Sequence, residues 1–184
     1  MPSECPPADG SARKTQRFDG PPPMCIDLSK RYSAEMVTSK GTMVFALDAV
    51  NAPRTVNNFV FLARYHYFEG IVFHRIIPGF VLQGGDPQGT GTGGPGYRFE
   101  DELPRPGRYE IGSLAMANAG PDTNGSQFFV ISGPDGKRLP PLYSLFGQLV
   151  TGQDVVAAID AVGTKSGSPK ERVVIESVTV TEAD

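Results

Sequence analysis

Apolar and polar positions begin to alternate at Met36. Residues 36–38 and 42–47 read as two strands joined by the tight turn Ser39-Lys40-Gly41. The period then changes. Asn51-Ala52-Pro53 opens a helix, with proline suited to the first turn, and Val56, Phe59, Val60 and Ala63 recur on one face. Residues 72–77 and 80–83 form a second strand group, punctuated by Pro78-Gly79. Residues 84–107 are loop-like. Short apolar runs at 111–117, 127–131 and 146–150 read as further strands, and 173–180 as a last one. Residues 154–162 predict a second helix, with Val155, Val156, Ile159 and Val162 inward and Gly163 at its C-terminal cap. Many short strands with two helices point to a mainly antiparallel β-barrel or sandwich.

The stretch before this pattern behaves differently. Residues 1–32 hold Pro6-Pro7, Asp19-Gly20 and Pro21-Pro22-Pro23, and almost no periodic apolar positions. They read as an extended arm, with 33–184 as the folded domain. The three consecutive prolines favour polyproline II, because each ring fixes φ and removes a donor. Both cysteines, Cys5 and Cys25, lie in this arm. A single disulfide pinning the arm and two free thiols are both compatible with that placement. The count excludes a four-cysteine zinc site and a disulfide-dense scaffold.

Composition narrows the function classes. The 184 residues suit one domain, and 22 Gly with 17 Pro make it loop-rich but still able to build a core. The formal net charge is -3, with charges mixed along the chain, which argues against a nucleic-acid-binding stripe. No apolar run is long enough to cross a membrane, and the polar N-terminus carries no secretory signal. The cytoplasm is the expected compartment, with an extracytoplasmic one as the alternative if an upstream signal or anchor has been removed.

Several chemistries fit poorly. Gly91, Gly93 and Gly96 match G-x-G-x-x-G, but Pro95 and the following residues offer no helix, so a nucleotide site is not expected. Gly125-Ser126-Gln127 lacks the nucleophile elbow. The two histidines, His66 and His74, have no second ligand near them in sequence, and no metal is expected. Asn124-Gly125-Ser126 is a formal glycosylation sequon that also reads as a packed turn, so modification is not expected. The unusual residue is Arg75, set in one of the most apolar stretches of the chain. Gln83, Asn118 and Gln127 recur in similar apolar surroundings. These polar groups form either a self-satisfying structural network or the fixed donors of a groove with an apolar floor, suited to an extended peptide.

The run Phe73-His74-Arg75-Ile76-Ile77-Pro78-Gly79-Phe80-Val81-Leu82-Gln83-Gly84-Gly85-Asp86 resembles the signature segment of the cyclophilins. These are the cyclosporin-binding class of peptidyl-prolyl isomerases. Residues 113–129, ending Asn124-Gly125-Ser126-Gln127-Phe128-Phe129, resemble the second signature. Gly91-Thr92-Gly93-Gly94 and Phe99-Glu100-Asp101-Glu102 resemble the stretch between them. The resemblance covers residues 36–180 and leaves the arm unexplained. It implies an eight-stranded antiparallel β-barrel capped by two α-helices, with the substrate groove on the outer surface.

It also implies a set of roles. Arg75 would be the donor that stabilises a twisted X-Pro amide, and Gln83 would orient it and the substrate carbonyl. Phe80, Val81 and Phe129 match the pocket for the proline ring, Val81 standing where Met is common. Ala117 and Asn118 match the edge that binds the peptide backbone, and Gln127 matches a groove-lining amide. Leu139 matches a pocket leucine. Tyr143 stands where His is usual, and the chain has no Trp. That form resembles bacterial cyclophilins and implies isomerase activity with reduced cyclosporin affinity. The implied partners are proline-containing peptides and unfolded clients of a monomer, without a cofactor. A proline-peptide binding or chaperone module with little turnover is the alternative.

Overall fold

The computed structural model describes residues 4–184. Its strands are β1 (Arg31–Thr38), β2 (Gly41–Leu47), β3 (Arg75–Ile77), β4 (Val81–Gly84), β5 (Ser113–Met116), β6 (Phe128–Ile131), β7 (Leu145–Thr151) and β8 (Ile175–Ala183). Every pairing is antiparallel, in the order β3-β4-β6-β5-β7-β2-β1-β8. The two ends of the sheet meet just before β3. There Phe73 donates to the Val173 carbonyl at 3.0 Å, Gly70 donates to Ile175 at 2.8 Å, and Val72 bridges Val174. The sheet therefore curls into a barrel, with helices α1 (Pro53–Arg64) and α2 (Gln153–Asp160) packed on it.

This closure explains two departures from the pattern reading. Residues 72–74 do not extend β3, because their backbone turns to the opposite sheet edge. Gly163 does not cap α2 in a left-handed conformation. A Cβ there would sit 2.6 Å from the Ile76 carbonyl oxygen, so glycine lets the chain after α2 touch the backbone of β3.

β1 and β2 alternate buried and exposed positions, as half-buried strands must. β5 and β6 are buried at every position. Their inner residues Leu114 and Val130 enter the main barrel core, and their outer residues Ala115, Phe129 and Ile131 enter a second, smaller apolar cluster. A strand covered on both faces loses its period of two.

Helix α1 begins at Pro53 and has no capping side chain of its own. Glu102 supplies one from a distant loop: its carboxylate accepts the Thr55 N–H at 2.7 Å and the Arg54 N–H at 3.3 Å. An anion at this end also meets the positive pole of the helix. Residues 55–64 of α1 are all buried, including Asn57, Asn58 and Arg64. The inner face meets the barrel. Part of the outer face is covered by the N-terminal segment.

Residues 4–30 contain no helix or strand, yet they dock closely. Phe18 is buried among Phe61, Tyr65 and Tyr97, with ring centroids 5.0, 5.3 and 6.4 Å away. Asn57 accepts the N–H groups of Cys25 and Ile26 and donates to the Pro23 carbonyl. Thr15 donates to the Tyr65 carbonyl, and Phe18 to that of Pro95. Cys5 and Cys25 form a disulfide that closes this segment into a loop.

His66 adds a charge-sensitive contact. It stands in the left-handed region at φ 56°, with Nδ1 2.6 Å from Glu69 and Nε2 2.8 Å from the Gly10 carbonyl. The hydrogen bond to Glu69, and then that to Gly10, raise its pKa. A pKa raised in the folded state stabilises the docked arm fully below the ordinary histidine range. That contribution is lost as pH rises through the raised value.

Two outcomes follow. The Cys5→Ser, Cys25→Ser double variant is expected to unfold at lower denaturant, losing up to about 3 kcal/mol for a loop of this length. An unchanged midpoint would show that the crosslink does not contribute. In an NMR titration His66 should titrate above the usual ~6.5, and Glu69→Gln should bring it down. An unaltered value in that variant would remove Glu69 as the cause.

Candidate active site

Strand register places the polar residues. Across β3, β4, β6 and β5, Arg75 pairs with Gln83, Gln83 with Phe129, and Phe129 with Ala115. This row lies on the outer face of the barrel. One step along, Ile76, Leu82, Val130 and Leu114 form the matching inward row in the main core. A slip of one residue would exchange the two rows.

On the outer face Arg75 is exposed at the sheet margin. Its Nη1 donates to Gln83 Oε1 at 3.2 Å, and Gln83 Nε2 donates to Gln127 Oε1 at 3.2 Å. Gln127 Nε2 in turn donates to the carbonyls of Gly91 at 2.9 Å and Gly93 at 3.0 Å. The guanidinium carbon also stands 5.9 Å from the centre of the Phe80 ring. One side of Arg75 is thus held, and the planar fork has further donors to offer.

Beside this row lies the second apolar cluster, built from Val81, Tyr109, Ala115, Phe129 and Ile131. Phe80, Ala117, Leu139 and Tyr143 pack against it, half-buried. The Tyr143 ring meets Phe129 edge-on at 5.4 Å. Tyr109 donates to the Tyr143 carbonyl at 2.7 Å and accepts the Tyr143 N–H at 3.2 Å. Burial pushes the Tyr109 phenol up to about 12, so it remains a donor at neutral pH. Asn118 donates to the Leu142 carbonyl at 2.9 Å and accepts from Gly120, bracing the rim. The result is an apolar floor with a fixed cation at one edge and backbone at the other.

The structure brings all ten sequence-predicted residues to one surface. Arg75, Gln83 and Gln127 form the polar row. Phe80, Val81, Phe129, Leu139 and Tyr143 line the floor and wall, and Ala117 and Asn118 form the ledge. Among the described residues no group of three potential metal ligands is found. Asn124 of the sequon is fully buried and donates to the Phe99 carbonyl and to Asp101.

Two supports were not read from the sequence. Tyr109 lies in a loop without periodicity. Asp86 opens the glycine loop, and its side chain is fully buried. Its carboxylate accepts N–H bonds from Gln88 at 2.8, Thr90 at 3.0, Gly91 at 2.7 and Gly93 at 3.1 Å. A Cβ on Gly93 would lie 2.0 Å from the carboxylate, so only glycine wraps it. Burial raises the Asp86 pKa, but these amides outweigh it and leave the value lowered. The glycine amides are occupied by this internal anion, while the Gly91 and Gly93 carbonyls fix Gln127. An acid followed by glycines was the available signal. Close by, burial and the Arg75 charge lower the pKa of His74, with Asp86 opposing.

Comparison with known proteins places the chain among relatives of one kind. Residues 33–180 match the family model "Cyclophilin type peptidyl-prolyl cis-trans isomerase/CLD". The chain is 43% identical to peptidyl-prolyl cis-trans isomerase B of Streptomyces anulatus, over 83% of this chain and 98% of that protein. It is 44% identical over 83% of its length to a peptidyl-prolyl cis-trans isomerase-like 2 protein of Cryptococcus neoformans, but spans only 28% of that longer protein. A cyclophilin type isomerase of Cryptosporidium parvum, solved in the presence of the dipeptide Ala-Pro, superposes with a TM-score of 0.75. It is 33% identical, with 81% of this chain and 98% of that chain covered.

The Asp86 cradle yields a test. Asp86→Ala leaves four amides facing a void, and the expected loss of stability is about 3 kcal/mol or more in denaturant unfolding. Because the folded pKa is lowered, the carboxylate's contribution is complete above the ordinary aspartate value and lost as pH falls through the lowered one. A variant as stable as wild type would show that the loop holds itself.

Proposed function

The chain belongs to the cyclophilin-type peptidyl-prolyl cis-trans isomerase family, and we propose that it accelerates X-Pro rotation through Arg75. Cis and trans forms of an X-Pro bond differ by about 0.5–1 kcal/mol, but the barrier between them is roughly 18–20 kcal/mol. That barrier is lost amide resonance. Its removal needs no covalent step and no cofactor, only tighter binding of the twisted amide than of either planar form.

The observation that carries this reading is one juxtaposition. A guanidinium held by Gln83 stands beside an apolar floor of Phe80, Val81, Phe129 and Tyr143. A proline ring on that floor brings its nitrogen to the Arg75 edge. In the twisted state the nitrogen regains a lone pair, and Arg75 donates to it. In the planar state no such acceptor exists, so the interaction acts selectively on the transition state. Gln83 and Gln127 position the guanidinium. The backbone of Asn118 makes no hydrogen bond among the described residues and is free to pair with the peptide. The likeness to a structure solved with Ala-Pro supports proline as the recognised residue.

Finer points belong to the same proposal. Cyclosporin binds more weakly than to members carrying the indole, since the chain has no Trp. The working form is a monomer, acting on flexible or unfolded clients. No helix among the described residues is long and apolar enough to cross a membrane. The Cys5–Cys25 disulfide favours an oxidising, extracytoplasmic compartment over the cytoplasm.

The test is the cis-to-trans relaxation of an X-Pro peptide. Wild type should shorten it, and Arg75→Ala should lower kcat/KM by about 10²–10³, the scale of one lost transition-state donor. Arg75 is exposed, so the variant should keep its fold and melting temperature. Wild-type relaxation no faster than the uncatalysed tens of seconds would refute the enzyme. Retained binding of the peptide would then identify a binding module.

A further inference from the structure

An open cavity of about 870 Å³ adjoins the active site, sharing Gln83, Ala117, Asn118 and Gln127 with it. It lies away from the apolar wall: Phe80, Val81, Leu139 and Tyr143 do not line it. A peptide whose proline sits on the apolar floor and whose backbone follows the ledge at Asn118 places a neighbouring side chain here.

The charged side chains that line this cavity are of one sign. Its lining includes Arg17 and Arg98 and no acidic residue. Both arginines are exposed, and neither forms an ion pair or side-chain hydrogen bond among the described residues. Nearby acids have other partners. Asp86 is buried under the glycine loop and bound by its amides. Glu100 pairs with Arg54 at 2.9 Å. Asp19 does not line the cavity.

Arg17 comes from the arm, outside the segment 33–180 matched by the family. Its neighbour Phe18 is the anchor that fixes it. Phe18 is buried in an aromatic cage and donates its N–H to the Pro95 carbonyl at 2.8 Å. A Cβ on Gly96 would stand 2.4 Å from the Phe18 carbonyl oxygen, so the arm crosses the cavity-lining loop in backbone contact. The disulfide between Cys5 and Cys25 closes the loop in which Arg17 and Phe18 lie. The arm is thus held where its cation faces the cavity.

We propose that the N-terminal arm is a specificity element: Arg17, together with Arg98, selects client segments with a carboxylate side chain near the proline. This deepens the isomerase reading and rests on it for the position of the peptide. Two exposed cations, each forming a screened ion pair, favour an acidic peptide by about five- to tenfold at low salt. The preference declines as ionic strength rises.

The experiment compares three peptides around one central Ala-Pro. One is neutral, one has Glu two residues before the proline, and one has Glu two residues after it. For the full chain, both kcat/KM and the Kd from NMR shift titration are measured. A higher kcat/KM and lower Kd are expected for one of the two acidic peptides. In Arg17→Gln the acidic-to-neutral ratio should fall at least twofold toward one. Arg13→Gln, which removes an arm charge outside the cavity, should keep the wild-type ratio. Equal values for all three peptides, or a ratio lowered equally by both variants, would overturn the proposal. If no peptide turns over but the Kd preference follows Arg17, the isomerase reading fails and the specificity element stands. If all turn over equally, only the specificity element fails.

Discussion

The register of β3, β4, β6 and β5 is the constraint on which the site depends. Leu82, Val130 and Leu114 point into the barrel and commit those strands to one alignment. Arg75, Gln83 and Phe129 are consequently aligned across the outside. The free energy that fixes this outer row comes from burying aliphatic side chains on the opposite face. Polar contacts between exposed groups are too weak to set it. Arg75–Gln83 and Gln83–Gln127 then refine an arrangement that the core has already imposed.

A second layer builds on this one. The loop after β4 is organised by the buried Asp86 carboxylate, and its carbonyls hold Gln127. The same loop continues to Pro95 and Gly96, where the arm crosses it at Phe18. Active site, glycine loop and arm are therefore mechanically contiguous. The polar outer face of α1 serves this arrangement: Asn57 holds the arm, and Asn58 donates to the Gly125 carbonyl and accepts from Tyr97.

Much of the fold was legible because its signals are local. Alternation marked β2 and the last three residues of β1, and helical spacing with Pro53 marked α1. β1 in fact starts at Arg31, two residues inside the predicted arm, where Arg31, Ser33 and Glu35 alternate with the buried Tyr32 and Ala34. β5 and β6 were visible as apolar runs, although coverage on both faces erased their period. Barrel closure through residues 70–73 was not legible, since it is a pairing across a hundred residues of sequence. Gly163 gave a misleading signal, because close backbone approach and a left-handed cap both call for glycine. In the site, Arg75 stood out against its apolar neighbours, and the signature motifs supplied roles for the others. Asp86 and Tyr109 act through the backbone of loops, which leaves little trace in a pattern of residue types. Phe18 was hidden for a related reason. A single anchoring aromatic in a proline-rich stretch has no periodicity, although it is buried as deeply as the barrel core.

The most direct test of the central claim is a double-mutant cycle on kcat/KM for X-Pro isomerisation, using Arg75→Ala, Gln83→Ala and the pair. If Gln83 works by positioning Arg75, removing it from a protein that already lacks the guanidinium costs little further activity, and the two effects are strongly non-additive. If the losses simply multiply, Gln83 and Arg75 act independently, and the account of a guanidinium positioned by the strand row is contradicted.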